Sequence, residues 1–428
     1  MNLLDDFKSR GLFHQSTDED ALRKAFDGGM VTGYIGFDPT AASLHVGSLL
    51  QIINLVRLQR AGHRPIAIAG GGTGLIGDPS GKQAERQLLT REALDGYLRG
   101  IRAQLGRYLD FDATPNGALL VDNAEWLGSL NLLEFLRDVG KHFSVNAMVH
   151  RDSVKKRLEE REQGLSYTEF SYMLLQAYDF LALYDRHRCT LQIGGSDQWG
   201  NIVSGIDLIH KMRGGHAHAL TVPLITTASG EKMGKTADGA VWLDPALTPP
   251  FAFYQYWLNA LDADVERFLQ YFTFLTADEI TAIAAAHAAD PAKRSGQRRL
   301  AEEVTRFVHG PEALDKAQRV TRVLFECEDW RTLDARDLEV AFDDAPKSDL
   351  DAALLGSSDA ALTAVLAKTE LFKSKSQART GIEQGGVSIN NRVEPSAQRV
   401  LTRDDLLPGG YVVLRKGRKH YHVLRVMG

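Results

Sequence analysis

A chain of 428 residues with 44% hydrophobic and 25% charged residues has an ordinary globular composition. That excludes a disordered or collagen-like polymer and gives a prior of roughly three domains. No apolar run approaches the roughly 18 residues a membrane-spanning helix needs. The first residues carry Asp5 and Asp6 and no apolar stretch, unlike a secretory or transit signal. Cys189 and Cys327 are too few for a disulfide framework or a four-cysteine zinc site. The expectation is a reduced, soluble, cytoplasmic protein. The net charge of −5 is unevenly spread: residues 361–428 hold 12 Lys/Arg against 5 Asp/Glu, whereas residues 326–360 hold 11 acidic and 3 basic residues. A basic terminal module is a candidate footprint for nucleic acid, with a plain solvated surface as the alternative.

In chain order, residues 31–37 read as a strand and 45–60 as a helix with Leu49, Ile52, Ile53 and Val56 at apolar positions. Ala61-Gly62 stops that helix, and 65–69 is the next strand. Short strands follow at 119–121 and 191–193, then a helix near 202–212 and a last strand at 220–225. This alternation predicts an α/β domain with a parallel sheet over residues 1–245. Residues 131–183 are largely helical, so a helical insertion is expected at about 125–185. Helical patterns at 251–258, 277–289 and 301–308 predict an α-helical domain over 246–325. The acidic stretch 326–360 reads as a linker to a small C-terminal module, 361–428.

Several segments carry chemistry. Residues 33–40 leave a strand and turn at Asp38-Pro39-Thr40, and the chain enters a helix through His45-Val46-Gly47-Ser48. A ligand there sits at a strand's carboxyl end and a helix N-terminus, both favourable to anions. His45, placed in the first turn, can donate to a phosphate, and Gly47 leaves room for a flat base. A polar helix start and a packing glycine are the plainer reading of these two residues alone. Gly230-Glu231-Lys232-Met233-Gly234-Lys235-Thr236 suits a loop that brings two lysines over a polyphosphate. It nearly matches a phosphate loop, but Ser229 stands at the first glycine position and no convincing helix follows. An exposed polar loop is the competing reading. Gly72-Thr73-Gly74-Leu75-Ile76-Gly77 satisfies G-x-G-x-x-G, yet Asp78-Pro79-Ser80-Gly81 argues against the long helix of a dinucleotide fold. It is read as a tight loop beside the substrate.

On the helix expected at 168–183, Tyr172, Gln176 and Asp179 fall at i, i+4 and i+7, on one face. Three hydrogen-bonding groups on an otherwise apolar helix fit a pocket for a small polar ligand, with a solvated stripe as the alternative. After the strand at 191–193, the run Gly194 to Asn201 supplies a glycine-lined turn whose Asp197 can accept ribose hydroxyls.

Taken together and in this order, Gly36-Phe37-Asp38-Pro39-Thr40 with His45-Val46-Gly47-Ser48, then Gly194-Gly195-Ser196-Asp197-Gln198-Trp199-Gly200-Asn201, then Lys232-Met233-Gly234-Lys235-Thr236 resemble the signatures of class I aminoacyl-tRNA synthetases. The bacterial-type tyrosyl-tRNA synthetases are the nearest likeness, over essentially the whole chain. In the basic tail, Ser374 to Arg379 and Gly385 to Asn390 resemble the S4 RNA-binding module of that family, with Lys375 and Arg379 on one helix face.

The resemblance implies a Rossmann-like catalytic domain and a tyrosine–tRNA ligase. Tyr34 and Asp179 would hydrogen-bond the substrate phenol, and Tyr172, Gln176 and Asp78 would bind its ammonium group. Gly36, Asp38, Pro39, Gly47, Ser48, Gly194, Asp197, Gln198 and Lys235 would hold ATP or the adenylate. Thr40, His45, Lys82, Arg86, Lys232, Lys235 and Thr236 would stabilise the departing pyrophosphate. ATP, L-tyrosine and tRNA(Tyr) are the implied partners, with Mg2+ accompanying ATP, no prosthetic group and no dedicated metal cage. A homodimer is implied too, with the helical insertion as its contact and Phe143 and Phe170 as candidates. Ser48 stands where many members have a second histidine, and the lysine loop reads K-M-G-K-T rather than K-M-S-K-S. A tryptophanyl-tRNA synthetase is the near alternative, disfavoured by the Tyr34–Asp179 pairing and the S4-like tail. A catalytically inert RNA-binding relative and an adenylyltransferase that never meets tRNA are the others.

Overall fold

The computed structural model describes residues 2–427 except 79–89, 113, 152–153, 155–164, 229, 231–232, 237–238, 327–328, 343–344 and 418–419. The chain divides into two compact units, Met1–Val308 and His309–Gly428.

The first unit carries a sheet of six strands: β1 (Gln15–Ser16), β2 (Thr32–Phe37), β3 (Arg64–Ala69), β4 (Leu119–Asp122), β5 (Leu191–Gly195) and β6 (His218–Val222). Their order is β1-β6-β5-β2-β3-β4, parallel except for the β1 edge. Tyr34, Ile35, Ile66, Ala67 and Ile68 are all buried, as expected of central strands covered on both faces. The chain steps from β2 to β3 to β4 in one direction and resumes with β5 and β6 in the other. Such a reversal opens a crevice at the carboxyl ends of the two strands where it occurs, here β2 and β5.

Helix Val46–Arg60 follows β2 and is buried on nearly every side, from Val46 through Leu58, so it has no solvent face to alternate. His45 is its cap and not a first-turn residue as expected: its φ of −123° is extended, and its Nδ1 accepts from the Gly47 N–H. The helical insertion is present as Ala124–Leu127, Leu132–Asp138, Val145–Val149 and the long helix Tyr167–His187, which outruns the expected 168–183 at both ends. Ser166 caps that helix at the Glu169 N–H, and Arg188 ends it in the left-handed region. Helices Pro250–Leu258, Asp262–Phe272, Ala277–Ala289 and Ser295–His309 complete the unit; the second of these and Arg91–Tyr108 were not anticipated. Arg10 and Arg57, bridged by Asp6, donate to the carbonyls of Gln270 and Thr273 at the end of Asp262–Phe272. The open end of one helix is thereby satisfied by side chains from two others.

The second unit corrects the domain reading. Residues 326–360 are not a linker. Strand β9 (Lys347–Asp351) lies parallel beside β13 (His420–Met427) in a five-stranded sheet with β10 (Val387–Ile389), β11 (Arg392–Val393) and β12 (Tyr411–Lys416). Along β12 the side chains alternate: Val412 and Leu414 pack with Leu366, Ala378 and Ile382, while Val413 packs with Trp330, Leu338 and Phe342. A sheet apolar on both faces needs cover on both, and the supposed linker covers one. Three of its acidic residues are matched within the unit: Asp329 by Arg392, Asp337 by Arg319 and Arg322, and Asp349 by Arg425. The charge asymmetry that suggested a spacer is in part an internal complementarity. Among the described residues, no helix is long and apolar enough to cross a membrane.

Candidate active site

A cavity of about 310 Å³ opens at the carboxyl ends of β2 and β5, at the reversal in strand order. Tyr34 and Gln192 are direct cross-strand partners there, so both side chains leave the sheet on the same face. From the long helix come Tyr172, Gln176 and Asp179, all lining the cavity as their shared face requires.

The floor is polar and buried. Asp179, 3% exposed, accepts from Asn123 Nδ2 at 2.9 Å and from Trp126 Nε1 at 2.6 Å. Burial nevertheless dominates, pushing its carboxyl up to about 7 against those two hydrogen bonds, with Asp38 and Asp122 adding to the rise. Asn123 is held in turn: its oxygen accepts from the Gly72 N–H at 2.7 Å, and its amide donates to Thr73 Oγ1 at 2.8 Å. Beside Asp179 sits Tyr34, 2% exposed, its ring edge-on to Phe180 at 5.2 Å. Burial first, then the Asp179 charge, holds its phenol well above the usual value, so it is a neutral donor. The Tyr34 hydroxyl is buried and finds no hydrogen-bond partner among the described residues. Such a group is costly in an empty site, roughly 1–3 kcal/mol.

The wall between floor and mouth is a relay of amides. Asn201 donates to Gln176 Oε1 at 2.9 Å, Gln176 donates to Gln198 Oε1 at 3.3 Å, and Gln198 donates to Asp78 Oδ2 at 2.8 Å. The relay delivers an oriented carboxylate to the cavity, which Asp78 lines.

At the other end, Gly36, Asp38, Gly47, Gly194 and Asp197 line the same space. Gly36 is exposed with nothing within 4 Å of a notional side chain, which leaves a flat, open stretch of strand. Gly47 is constrained more by its neighbours than by a ligand: a Cβ there would come within 2.6 Å of the His45 ring and 3.3 Å of the Met233 carbonyl. The lysine segment therefore packs on this turn. Gly234, at φ +83°, would carry a Cβ 2.8 Å from the Gly47 nitrogen. Val46 N–H donates to the Val241 carbonyl at 2.9 Å, Val241 N–H to the Gly234 carbonyl at 3.0 Å, and His45 bridges to Trp242. Short strands β7 (Lys235–Thr236) and β8 (Gly239–Ala240) turn the segment back on itself. Two motifs some 190 residues apart in sequence, His45-Val46-Gly47 and Met233-Gly234-Lys235, are thus stitched together by backbone.

Comparison with known proteins now decides the family. Residues 28–326 match the family described as tRNA synthetases class I (W and Y), and residues 337–424 match the tyrosine–tRNA ligase SYY-like C-terminal domain. The chain is 48% identical over 426 residues to the tyrosine–tRNA ligase of Geobacillus stearothermophilus, covering 99% of this chain and 100% of that one. It is 48% identical to tyrosine–tRNA ligase 1 of Bacillus subtilis, over 99% of each. The chain belongs to the bacterial-type tyrosyl-tRNA synthetases. A C-terminally truncated mitochondrial tyrosyl-tRNA synthetase of Aspergillus nidulans superposes with a TM-score of 0.68 at 31% identity, covering 76% of this chain and 94% of that one. A tryptophanyl-tRNA synthetase of Encephalitozoon cuniculi, at 13% identity and TM-score 0.53, shares the fold. The C-terminal match begins at 337, inside the stretch read from sequence as a linker.

The cavity gathers about half of the residues singled out from sequence. Pro39, Thr40, His45 and Ser48 are not in its lining; they belong to the turn and helix start that follow β2. Lys82, Arg86 and Lys232 lie outside the described residues, and for Lys235 and Thr236 the backbone alone is described. Lys375 and Arg379 are both exposed on helix Lys375–Glu383 of the second unit. Sequence reasoning missed Asn123 and Trp126, and it quoted Thr73 and Asn201 within motifs without giving either a role. Asn123 had a readable signal, a polar residue directly after strand β4. Phe143 and Phe170, considered for a subunit contact, are half-buried against Met148, Val154, Met173 and Leu174. Among the described residues of the insertion, the exposed large apolar side chains are instead Leu132, Leu133, Leu136, Val145 and Tyr167.

Proposed function

We propose that the cavity binds tyrosine at its floor and ATP at its mouth, and that this tyrosine–tRNA ligase joins the two before charging tRNA(Tyr). The observation that carries the assignment is the buried, unpartnered Tyr34 hydroxyl beside Asp179. A phenol entering there donates to the Asp179 carboxylate and accepts from Tyr34, satisfying both. The Gln176–Gln198–Asp78 relay, with Tyr172, takes the ammonium group at the cavity wall. A site built to pair a substrate hydroxyl rejects the analogue lacking it, and this enzyme family is itself the standard example of that rule.

Gly36, Asp38, Pro39, Gly47, Ser48, Gly194, Asp197 and Gln198 are assigned to ATP and the adenylate. In the first step the tyrosine carboxylate attacks the α-phosphorus and the bond to the β-phosphate oxygen breaks, releasing pyrophosphate. In the second, a terminal ribose hydroxyl of tRNA attacks the activated carbonyl and AMP leaves. No protein nucleophile is required, so catalysis is positioning plus stabilisation of charge developing on phosphate. That role falls to Thr40, His45, Lys82, Arg86, Lys232, Lys235 and Thr236. With Nδ1 accepting from Gly47, the neutral His45 ring carries its proton on Nε2, the nitrogen able to donate. Mg2+ would accompany the triphosphate as part of the substrate. Lys375 and Arg379 contact tRNA phosphates. Leu132, Leu133, Leu136 and Val145 support a homodimer through the insertion, and a cytoplasmic location is expected of a member of the bacterial type.

Tyrosine-dependent ATP–pyrophosphate exchange tests the reading. Exchange driven by tyrosine and not by phenylalanine or tryptophan is expected; exchange indifferent to the amino acid would sink it.

A further inference from the structure

Gly234 directly precedes Lys235, and at φ +83° it has the backbone freedom of a glycine, so its position must be fixed by its partners. Its carbonyl accepts from Val241. Its N–H donates to the hydroxyl of Tyr256 at 3.2 Å. Tyr256 lies on helix Pro250–Leu258, half-buried, with its ring edge-on to Trp257 at 5.4 Å. Packing fixes the ring, and the hydroxyl reaches the loop. The segment before the lysines is held by the next helix, Asp262–Phe272. Asp264, 1% exposed, accepts from the Ala228 N–H at 2.9 Å, and Arg267, ion-paired to Asp264, donates to the Thr226 carbonyl at 2.7 Å. That helix is tied in turn to Val46–Arg60 through Arg10, Arg57 and Asp6. Two successive helices therefore grip the chain on both sides of residues 229–232.

We propose that Tyr256 is a positioning residue for adenylate formation: its hydroxyl fixes Gly234, and so the Lys235 backbone, against the His45–Gly47 turn, with Asp264 and Arg267 anchoring the chain before it. The inference rests on the reading of Lys235 as the group that acts on the phosphates. Stabilisation of developing charge depends on donors already in place, so a loosened backbone lowers the rate of the step and leaves tyrosine binding alone.

Tyr256→Phe removes the hydroxyl and keeps the ring. The measurements are the single-turnover rate of adenylate formation at saturating tyrosine and ATP, and tyrosine affinity by equilibrium titration. Loss of one ordinary hydrogen bond predicts a rate about fivefold lower with tyrosine affinity unchanged. In a Lys235→Ala background the same substitution is expected to have almost no further effect, because its influence passes through that lysine. An unchanged rate in the otherwise native enzyme overturns the proposal. So does an equal loss with and without Lys235, or a fall in tyrosine affinity that matches the fall in rate. A native enzyme that forms no adenylate from tyrosine and ATP overturns the functional reading instead.

Discussion

At the floor of the cleft, buried side chains hold one another: Asp179 by Asn123 and Trp126, Asn123 by the Gly72 backbone and Thr73. At its mouth the contacts are mostly backbone, Val46 to Val241 and Val241 to Gly234, around glycines with no side chain to lock. The two ends solve different problems. On the proposed reading, selecting one amino acid uses fixed groups with a gap between them, and the unpartnered Tyr34 hydroxyl marks that gap. Acting on a moving triphosphate requires charge delivered close to backbone, where bulk would intrude. The first design lowers the stability of the empty protein.

Substitutions can break this comparison. Lys235→Ala is expected to have the largest effect, roughly 10²–10³-fold on the adenylation rate, with tyrosine affinity unchanged; pre-steady-state kinetics would decide it, and an intact rate removes Lys235 from the mechanism. Asp179→Asn should erode the preference for tyrosine over phenylalanine in exchange assays by roughly one to two orders of magnitude, since a charge-assisted hydrogen bond becomes a neutral one. The same variant sharpens the stability half of the contrast. The native Asp179 carboxyl is raised to about 7 from 3.8, so between those values the folded state holds a proton that the unfolded chain has lost. Native stability should therefore fall relative to Asp179→Asn as pH rises through that window, by about 1.4 kcal/mol per pH unit, and level off above it. Denaturant titrations of both proteins at several pH values check the sign; parallel pH profiles would contradict it.

Tyr34→Phe is expected to act in opposite directions on the two properties. Removing an unpaired buried hydroxyl stabilises the free protein by about 1 kcal/mol, while tyrosine selection weakens about fivefold. Equal stability, or selection left intact, would mean the hydroxyl is not the gap the phenol fills. The smallest effect belongs outside the cleft. Lys375→Ala or Arg379→Ala should leave exchange unchanged and reduce the salt dependence of tRNA binding, lowering the log–log slope by about 0.7–0.9 per charge. A loss of exchange in either variant would argue against separate duties for the two units.

The sheet and much of the cleft were legible in the sequence because their signals are local. The strand, turn and helix start at 31–48 follow from β-branched and glycine runs, and the face shared by Tyr172, Gln176 and Asp179 follows from helical spacing alone. Residues 326–360 were not legible. Acidic composition there mimics a solvated spacer, and its burial depends on Val413 facing away from Val412 and Leu414 in a strand some sixty residues later.

The sequence by itself determined which chemical groups exist and which of them share a short element. The tertiary structure decided which groups went unpaired, that Asn123 and Trp126 support Asp179, and that Tyr256 meets Gly234. Those facts are pairwise distances between residues far apart in the chain, and no local period encodes them: they arise only when the β2–β5 reversal and the packing of the helices bring separate segments to one place.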